Sequence, residues 1–297
     1  MTGLEKIEQR AQELLKKYAF KEPQSVWHYT SSSALLNMLE NNSIWLSDFR
    51  LLNDTSELNY GLNIFKNAAE QFKGINALAP QAELVRALMQ EFDRSEKFSL
   101  AYVFCVCAEE DSVTQWLSYA AKSTDPVAMK FDLQSLRNFS WNEFRTRVFP
   151  VAYRPEVQRN IANSMVRSFL TLPQCKSYLA GNVRDRSKID FELFATMCAN
   201  MCIQFKHPKF QAEQEWRVVC QFGAEHGPGQ KLEFRSSGAG VTPYINIQPK
   251  DGLLPISGVM LGPKIANRIQ LKSHNELLLR YDYFDAEVTM SGVPLRN

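Results

Sequence analysis

Apolar residues recur at helical spacing from the start of the chain. Leu4, Ile7, Ala11, Leu14, Leu15 and Tyr18, with charged side chains between them, predict an amphipathic helix within residues 1–20. Such a helix buries only one face, so it is expected to brace the domain. The period then shortens to that of strands. Residues 25–29 (SVWHY) predict a strand, the serines at 31–33 cap a helix over 31–41, and SIWLSD (43–48) predicts a second strand. In NDTSELNYGLNIFKNAAEQF, Asp54 and Glu57 stand at capping-box spacing, and Leu58, Leu62, Phe65, Ala69 and Phe72 mark one helical face. AELVRALMQEF predicts a further helix after a break at Pro80.

Residues 98–107 carry Phe98, Leu100, Tyr102, Phe104 and Val106 on alternate positions with smaller residues between them, and both sets are largely apolar. A strand apolar on both faces belongs at the centre of a sheet. Ser112 and Gln115 form a second capping box opening the helix TQWLSYA, and PVAMKFD and RVFPVAYR read as strands. Residues 155–206 are helical, with Phe191, Phe194, Cys198, Cys202 and Phe205 on one face. The remainder returns to strands in EWRVVCQF, KLEFRSS, TPYINI and SGVMLG, then a helix near 265–281 and a closing strand AEVTMS; SSGAGV is the one Gly/Ser-rich turn.

Strands fall in two groups around a helical stretch, which predicts an α+β fold with a mixed, mainly antiparallel central sheet. The expected organisation is a single domain over 1–297, with an N-terminal helix (1–20), a first half of the sheet with helices (25–154), a helical insertion (155–206) and a second half of the sheet (210–297).

Composition narrows the function. The chain has 297 residues, 34 Lys plus Arg against 32 Asp plus Glu, and a net charge of +2. Net charge therefore gives no indication of a nucleic-acid partner. No segment approaches the ~18 uninterrupted apolar residues of a membrane span, and the N-terminus lacks a signal-peptide core, so a cytoplasmic location and no membrane partner are expected. The six cysteines sit mostly in apolar runs, without C-x-x-C spacing, and there are only four histidines, so no metal site is expected. No G-x-G-x-x-G, G-x-S-x-G or P-loop motif occurs.

FQAEQEWRVV concentrates charge. If this segment is extended, Glu213, Glu215 and Arg217 project from one face and Gln214, Trp216 and Val218 from the other. Those charges make either a solvated face, with pairing worth ~0 to 1 kcal/mol, or a carboxylate tuned by its neighbours at the rim of a cleft. His28, on a strand between Trp27 and Tyr29, fits a satisfied core histidine as well as a ligand-binding one. The helix N-terminus at Asp54 offers free N–H groups to a phosphate, and Trp45 and Trp116 offer flat walls for a base or nicotinamide ring.

Taken in order, HYTS, WLSD, LNDTSE, QWLSYA and FQAEQEWRVV resemble a bacterial family classed as a domain of unknown function, with the pattern His-Tyr-Thr, Asn-Asp-x-x-Glu, Gln-Trp and Glu-x-Glu-x-Arg. More remotely, VWHYTS, WLSDFRLLNDTSELNY and EWRVV resemble the three motifs of ADP-ribosyltransferases of the diphtheria-toxin and poly(ADP-ribose) polymerase type. That resemblance implies a sheet of ADP-ribosyltransferase-like type and NAD as substrate, with no metal. It implies that His28 holds the adenosine-side ribose, with Tyr29 beside it, and that Thr30 assists near the nicotinamide amide. Trp45 or Tyr60 would flank the nicotinamide, and Ser47, Asn53, Asp54 and Trp116 would line the same site.

Glu215 would then bind the nicotinamide ribose and stabilise its oxocarbenium-like transition state, Glu213 would activate the acceptor, and Arg217 would orient the glutamates or meet a diphosphate oxygen. The activity implied is transfer of ADP-ribose from NAD to a protein or nucleic-acid acceptor in bacterial defence or stress. Two other functions remain open: a non-catalytic nucleotide-binding or interaction module on the same fold, and a glycosidase-like hydrolase using Glu213 and Glu215.

Overall fold

The computed structural model describes residues 2–18, 22–52, 56–73, 79–95, 100–120, 124–182, 186–222, 227–237 and 240–294. In chain order the elements are α1 (Gly3–Tyr18), β1 (Ser25–Ser31), α2 (Ser32–Asn41), β2 (Ile44–Asp48), α3 (Glu57–Lys73), α4 (Ala79–Ser95) and β3 (Leu100–Cys107). Then come α5 (Val113–Gln115), which runs on as a π turn over Trp116–Ala120, β4 (Pro126–Asp132), α6 (Leu133–Asn138), β5 (Arg147–Pro150), α7 (Pro155–Leu170), α8 (Pro173–Leu179) and α9 (Phe191–Cys202). The last are β6 (Glu215–Phe222), β7 (Leu232–Ser237), β8 (Gly240–Ile247), β9 (Ile256–Leu261), α10 (Arg268–Arg280) and β10 (Glu287–Met290).

The strands form one sheet in the order β10-β9-β4-β1-β3-β2-β8-β7, while β6 pairs with the other edge of β3 and β5 lies beyond β6. The β9–β10 pair is parallel and the other pairings are antiparallel. One edge of β3 is paired along its whole length with β6, from Leu100↔Phe222 to Cys107↔Glu215. The opposite edge is shared: β1 meets it at Trp27↔Cys107, β2 meets it at Ser47↔Val103 and Asp48↔Tyr102, and the sheet forks between them.

Helices cover both faces, which is why β3 is apolar on both sides. On one face α1, α3, α4, α7 and α9 bury Ile7, Leu62, Phe65, Leu88, Ile161 and Phe194 against Ala101, Val103 and Val219. On the other, α2, α6 and α10 bury Leu35, Leu136 and Leu278 against Val26, Phe104, Trp216 and Ile245. Residues 155–206 are thus part of the main helical layer, not an appendage, and α1 braces that layer through Ile7, Ala11 and Leu15.

Several local expectations shift. Pro80 does not precede α4 but sits in its first turn, where its missing N–H costs nothing. RVFPVAYR is a strand only over Arg147–Pro150. Ser31 caps α2 by accepting from the Ala34 N–H. Ser112 and Gln115, by contrast, form no capping box: the Ser112 hydroxyl donates to Glu109 and the Gln115 amide donates across the fold to the Glu213 carbonyl. Asp54, the other proposed capping residue, lies outside the described residues.

Gly61 lets α3 and α9 touch. A Cβ at this position would lie 2.6 Å from both Cβ and Sγ of Cys202 and 3.2 Å from its Cα. Alanine gains up to ~1 kcal/mol of helix propensity over glycine, but it must push the two helices apart. Gly61→Ala is expected to destabilise the protein by about 1–3 kcal/mol, read as a lower urea midpoint at unchanged slope. An unchanged or raised midpoint would mean that the crossing is looser than described.

Candidate functional site

The fork places the His-Tyr-Thr segment beside the C-terminal end of β3. Backbone alternation divides its residues: Trp27 and Tyr29 pack with Cys107, Trp116, Ala128 and Met260, whereas His28 stacks on Phe104 at 4.1 Å between ring centroids. His28 Nδ1 lies 2.8 Å from the Cys105 carbonyl, a group that only accepts, so Nδ1 carries the proton. Burial lowers the pKa of His28 to about 4, the Cys105 hydrogen bond opposing and nearby Arg235 assisting. At neutral pH the ring is therefore uncharged, with Nε2 a bare acceptor. Among the described residues no partner is bonded to Nε2.

Tyr29 is fully engaged: its hydroxyl donates to the Glu109 carbonyl at 3.0 Å and accepts from the Ser112 N–H at 2.8 Å. Trp116 stands edge-on to Tyr29, is only 1% exposed, and donates from Nε1 to Asp111 at 2.7 Å. Its ring thus supports the site from beneath and presents no open wall for a base. Asp111 also accepts from the Ser291 hydroxyl (2.5 Å) and the Gly292 N–H (2.7 Å), tying these two residues to the same cluster. Thr30 pairs with Val127 and is partly buried.

On the other face of β3, opposite the ring of His28, lies a buried set of charges. Glu213 is not on the strand: it closes a 3₁₀ turn over Pro208–Glu213, and Gln214 turns the chain with φ 42° before β6 begins at Glu215. Glu213 and Glu215 nevertheless converge on one cation. Lys206 Nζ lies 2.6 Å from Glu213 Oε2, 2.9 Å from Glu215 Oε2 and 3.1 Å from Glu57 Oε1. Arg217 donates from Nε to Glu215 Oε1 (2.7 Å) and from Nη2 to Glu57 Oε2 (2.7 Å) and Glu215 Oε2 (3.1 Å). Its Nη1 donates to the Ile203 carbonyl at 2.6 Å, and the Glu215 N–H is held by the Tyr153 hydroxyl at 3.0 Å. Arg217 is 1% exposed, so the solvated-face reading does not hold, and four of its five N–H donors are committed to the glutamates and the Ile203 carbonyl, which does not suit it to meet a diphosphate.

The electrostatics follow from this geometry. Burial pushes the Glu215 carboxyl up, but Arg217 and Lys206 outweigh it and hold the pKa at about 2. Burial opposes the charge of Lys206, yet Glu215 and Glu57 raise its pKa above the ordinary lysine value. Glu213, at the outer end, is raised by burial despite Lys206. Cys105 joins the two sides: its carbonyl receives His28, and its thiol is raised well above the usual range by burial and by the nearby Glu215 charge.

The proposed nicotinamide walls separate. Trp45 is on β2, 4.6 Å from the ring of Tyr244, while Tyr60 is on α3, edge-on to His207 and bonded to Gln158 at 2.7 Å. Tyr60 borders a groove of about 550 Å³ that also includes Asn67, Arg159 and Asn163. Ser47 is buried at the end of β2, where its hydroxyl accepts from Arg235 at 2.9 Å. Asn53 lies, with Asp54, outside the described residues. Among the described residues no three His, Cys, Asp or Glu side chains form a group able to hold a metal, and no helix is long and apolar enough to cross a membrane.

Gln115, Trp116, Glu213, Glu215 and Arg217 fall in one contiguous stretch of the chain whose side chains the fold gathers around β3. Residues 115–218 match the model of a protein family of unknown function, DUF2971. No curated protein and no solved structure matches the chain. The matched stretch contains the Gln-Trp and Glu-x-Glu-x-Arg elements and stops short of His28, Ser47 and Glu57. It also contains Tyr153 and Lys206, two site residues that the sequence reading missed. Lys206 did leave a signal, as a lone cation at the end of the apolar run CANMCIQF; Tyr153 left none.

Proposed function

We propose that this chain binds NAD or a closely related dinucleotide at the fork of the sheet, as an ADP-ribosyltransferase-like protein that moves ADP-ribose to a macromolecular acceptor. The observation that carries this reading is His28: a neutral imidazole, fixed by its Nδ1–H on the Cys105 carbonyl, with a bare Nε2 suited to a ribose hydroxyl. Glu215 is ionised at the head of β6, and transfer would require one of its oxygens to turn from Lys206 or Arg217 towards the developing positive charge of the sugar. In the step proposed, the C–N glycosidic bond breaks with its electron pair leaving on nicotinamide. The acceptor nucleophile then bonds to the sugar carbon, and its proton passes to Glu213, whose raised pKa suits a base.

A second reading, binding without transfer, is favoured by the lock on Glu215, whose two oxygens are both held by cations and whose face of β3 is opposite that of His28. Labelled NAD, a cell lysate and the full chain separate the two readings. Transfer of label by the parent, with a loss of about 100-fold or more in Glu215→Gln, supports the transferase. Calorimetric binding of NAD that is weakened in His28→Ala, with no label transferred, supports the binding module. Absence of NAD binding overturns both.

A further inference from the structure

One end of the sheet is β7, whose outer edge pairs with no strand among the described residues. An open edge is a template for further pairing, which proteins commonly block with a proline, a bulge or a very short strand. None of these blunts β7: its six residues, LEFRSS, contain no proline and run against β8 in unbroken register from Leu232↔Ile245 to Ser237↔Gly240. Across from it, Pro243 fixes which groups face outward. A hydrogen-bonded pair in an antiparallel ladder exchanges two N–H···O bonds, and Pro243, opposite Phe234, has no N–H. Phe234 and Pro243 are therefore a non-bonded pair, and the N–H and C=O of Phe234 point away from β8 to the open edge. By alternation, those of Leu232 and Ser236 do the same. The Phe234 side chain is 62% exposed, and Val241, on the same face of β8, is 70% exposed.

The charges of β7 complement a second β7. Glu233 and Arg235 are exposed, flank Phe234 and project from the opposite face. Each is bonded to a neutral group, Glu233 to the Tyr244 hydroxyl at 2.7 Å and Arg235 to the Ser47 hydroxyl at 2.9 Å. Neither makes an ion pair among the described residues. An antiparallel copy of the strand, centred on Phe234, sets each Glu233 opposite the partner's Arg235 on a common face. These are non-bonded positions of the new ladder, where facing side chains come closest. A shift of two residues either way sets like charges opposite, Glu233 against the partner's Glu233 or Arg235 against the partner's Arg235. One register is therefore favoured over its neighbours.

We propose that β7 is a dimerisation edge, through which two copies of this chain pair antiparallel about a two-fold axis at Phe234 and join their sheets into one. Phe234 and the partner's Phe234 exchange both main-chain bonds and cover each other's exposed rings, and the Glu233–Arg235 pairs set the register. The contact is short and lies at the small end of interface sizes, so dissociation is expected at micromolar concentration. It is independent of any ligand at the fork. The test is sedimentation of the full chain from micromolar to submillimolar concentration. The parent should pass from monomer to dimer and no further, because the two-fold axis closes the contact. Glu233→Arg and Arg235→Glu should each weaken the dimer about 10- to 30-fold, since both attractive pairs become like-charged ones, and the chain carrying both substitutions should recover most of the loss. Phe234→Pro should abolish the dimer and leave the melting temperature of the monomer near that of the parent, because the N–H it removes makes no bond to β8. A parent that stays monomeric throughout, a double variant no tighter than the single ones, or a Phe234→Pro chain that dimerises like the parent would each overturn the proposal.

Discussion

Arg217→Ala is expected to destabilise the protein by about 3–5 kcal/mol, with a fall in melting temperature on the order of 10 °C. The guanidinium holds both oxygens of Glu215, one oxygen of Glu57 and the Ile203 carbonyl, and all of these are buried. Removing it leaves Glu57, Glu213 and Glu215 around Lys206 alone, and leaves a buried carbonyl without its donor. The loss should be much smaller when the charges go together. A triple variant with Arg217→Met, Glu57→Gln and Glu215→Gln leaves no uncompensated charge in that half of the network, and should regain most of the stability. Equilibrium unfolding of the two variants checks this. A single variant within about 1 kcal/mol of the parent, the range of an exposed pair, would show that the network is solvated and that Glu215 is not held as described.

The same network explains which parts of the protein could be seen in its sequence. Strands and helices were legible because burial writes a period: Leu58, Leu62, Phe65 and Ala69 on α3 point to one partner layer, and the doubly apolar β3 points to two. The charged segment was legible as unusual but not as buried. Alternation placed Glu215 and Arg217 on a common face correctly, and it failed at Glu213, because the left-handed Gln214 leaves no mark in a pattern of apolar and polar residues. Non-local partners were not legible at all. Glu57 begins α3 and reaches Arg217 across 160 positions, and Gln115 reaches the Glu213 carbonyl across 98. Both glutamate and glutamine were read as local capping residues, since capping is the bond their spacing can express. Trp116 was read as a flat wall, and burial alone decides otherwise.

Stability should also fall in acid, in a window set by Glu215. Its carboxyl titrates near 4.5 when unfolded and at about 2 when folded. A depressed folded pKa contributes stability that is fully present above the unfolded value and is lost as pH falls through the folded one. The loss therefore begins below about pH 4.5, continues to about pH 2, and amounts to roughly 3 kcal/mol at ~1.4 kcal/mol per unit. Glu213 acts with the opposite sign. Its folded pKa is raised, so its contribution is present below the unfolded value and is lost as pH rises through the folded one. The parent curve is the sum of both, and Glu213→Gln should remove the opposing limb and leave a steeper net decline towards acid. Unfolding free energies measured from pH 7 to pH 3 test this: Glu215→Gln should flatten the acid limb, and an equally steep limb in that variant would mean that other carboxylates carry it. The same two titrations bear on chemistry, because they leave Glu215 ionised and Glu213 the more easily protonated of the pair. Under the transfer reading proposed above, Glu215 would be the carboxylate that stays charged and Glu213 the one that takes the acceptor's proton.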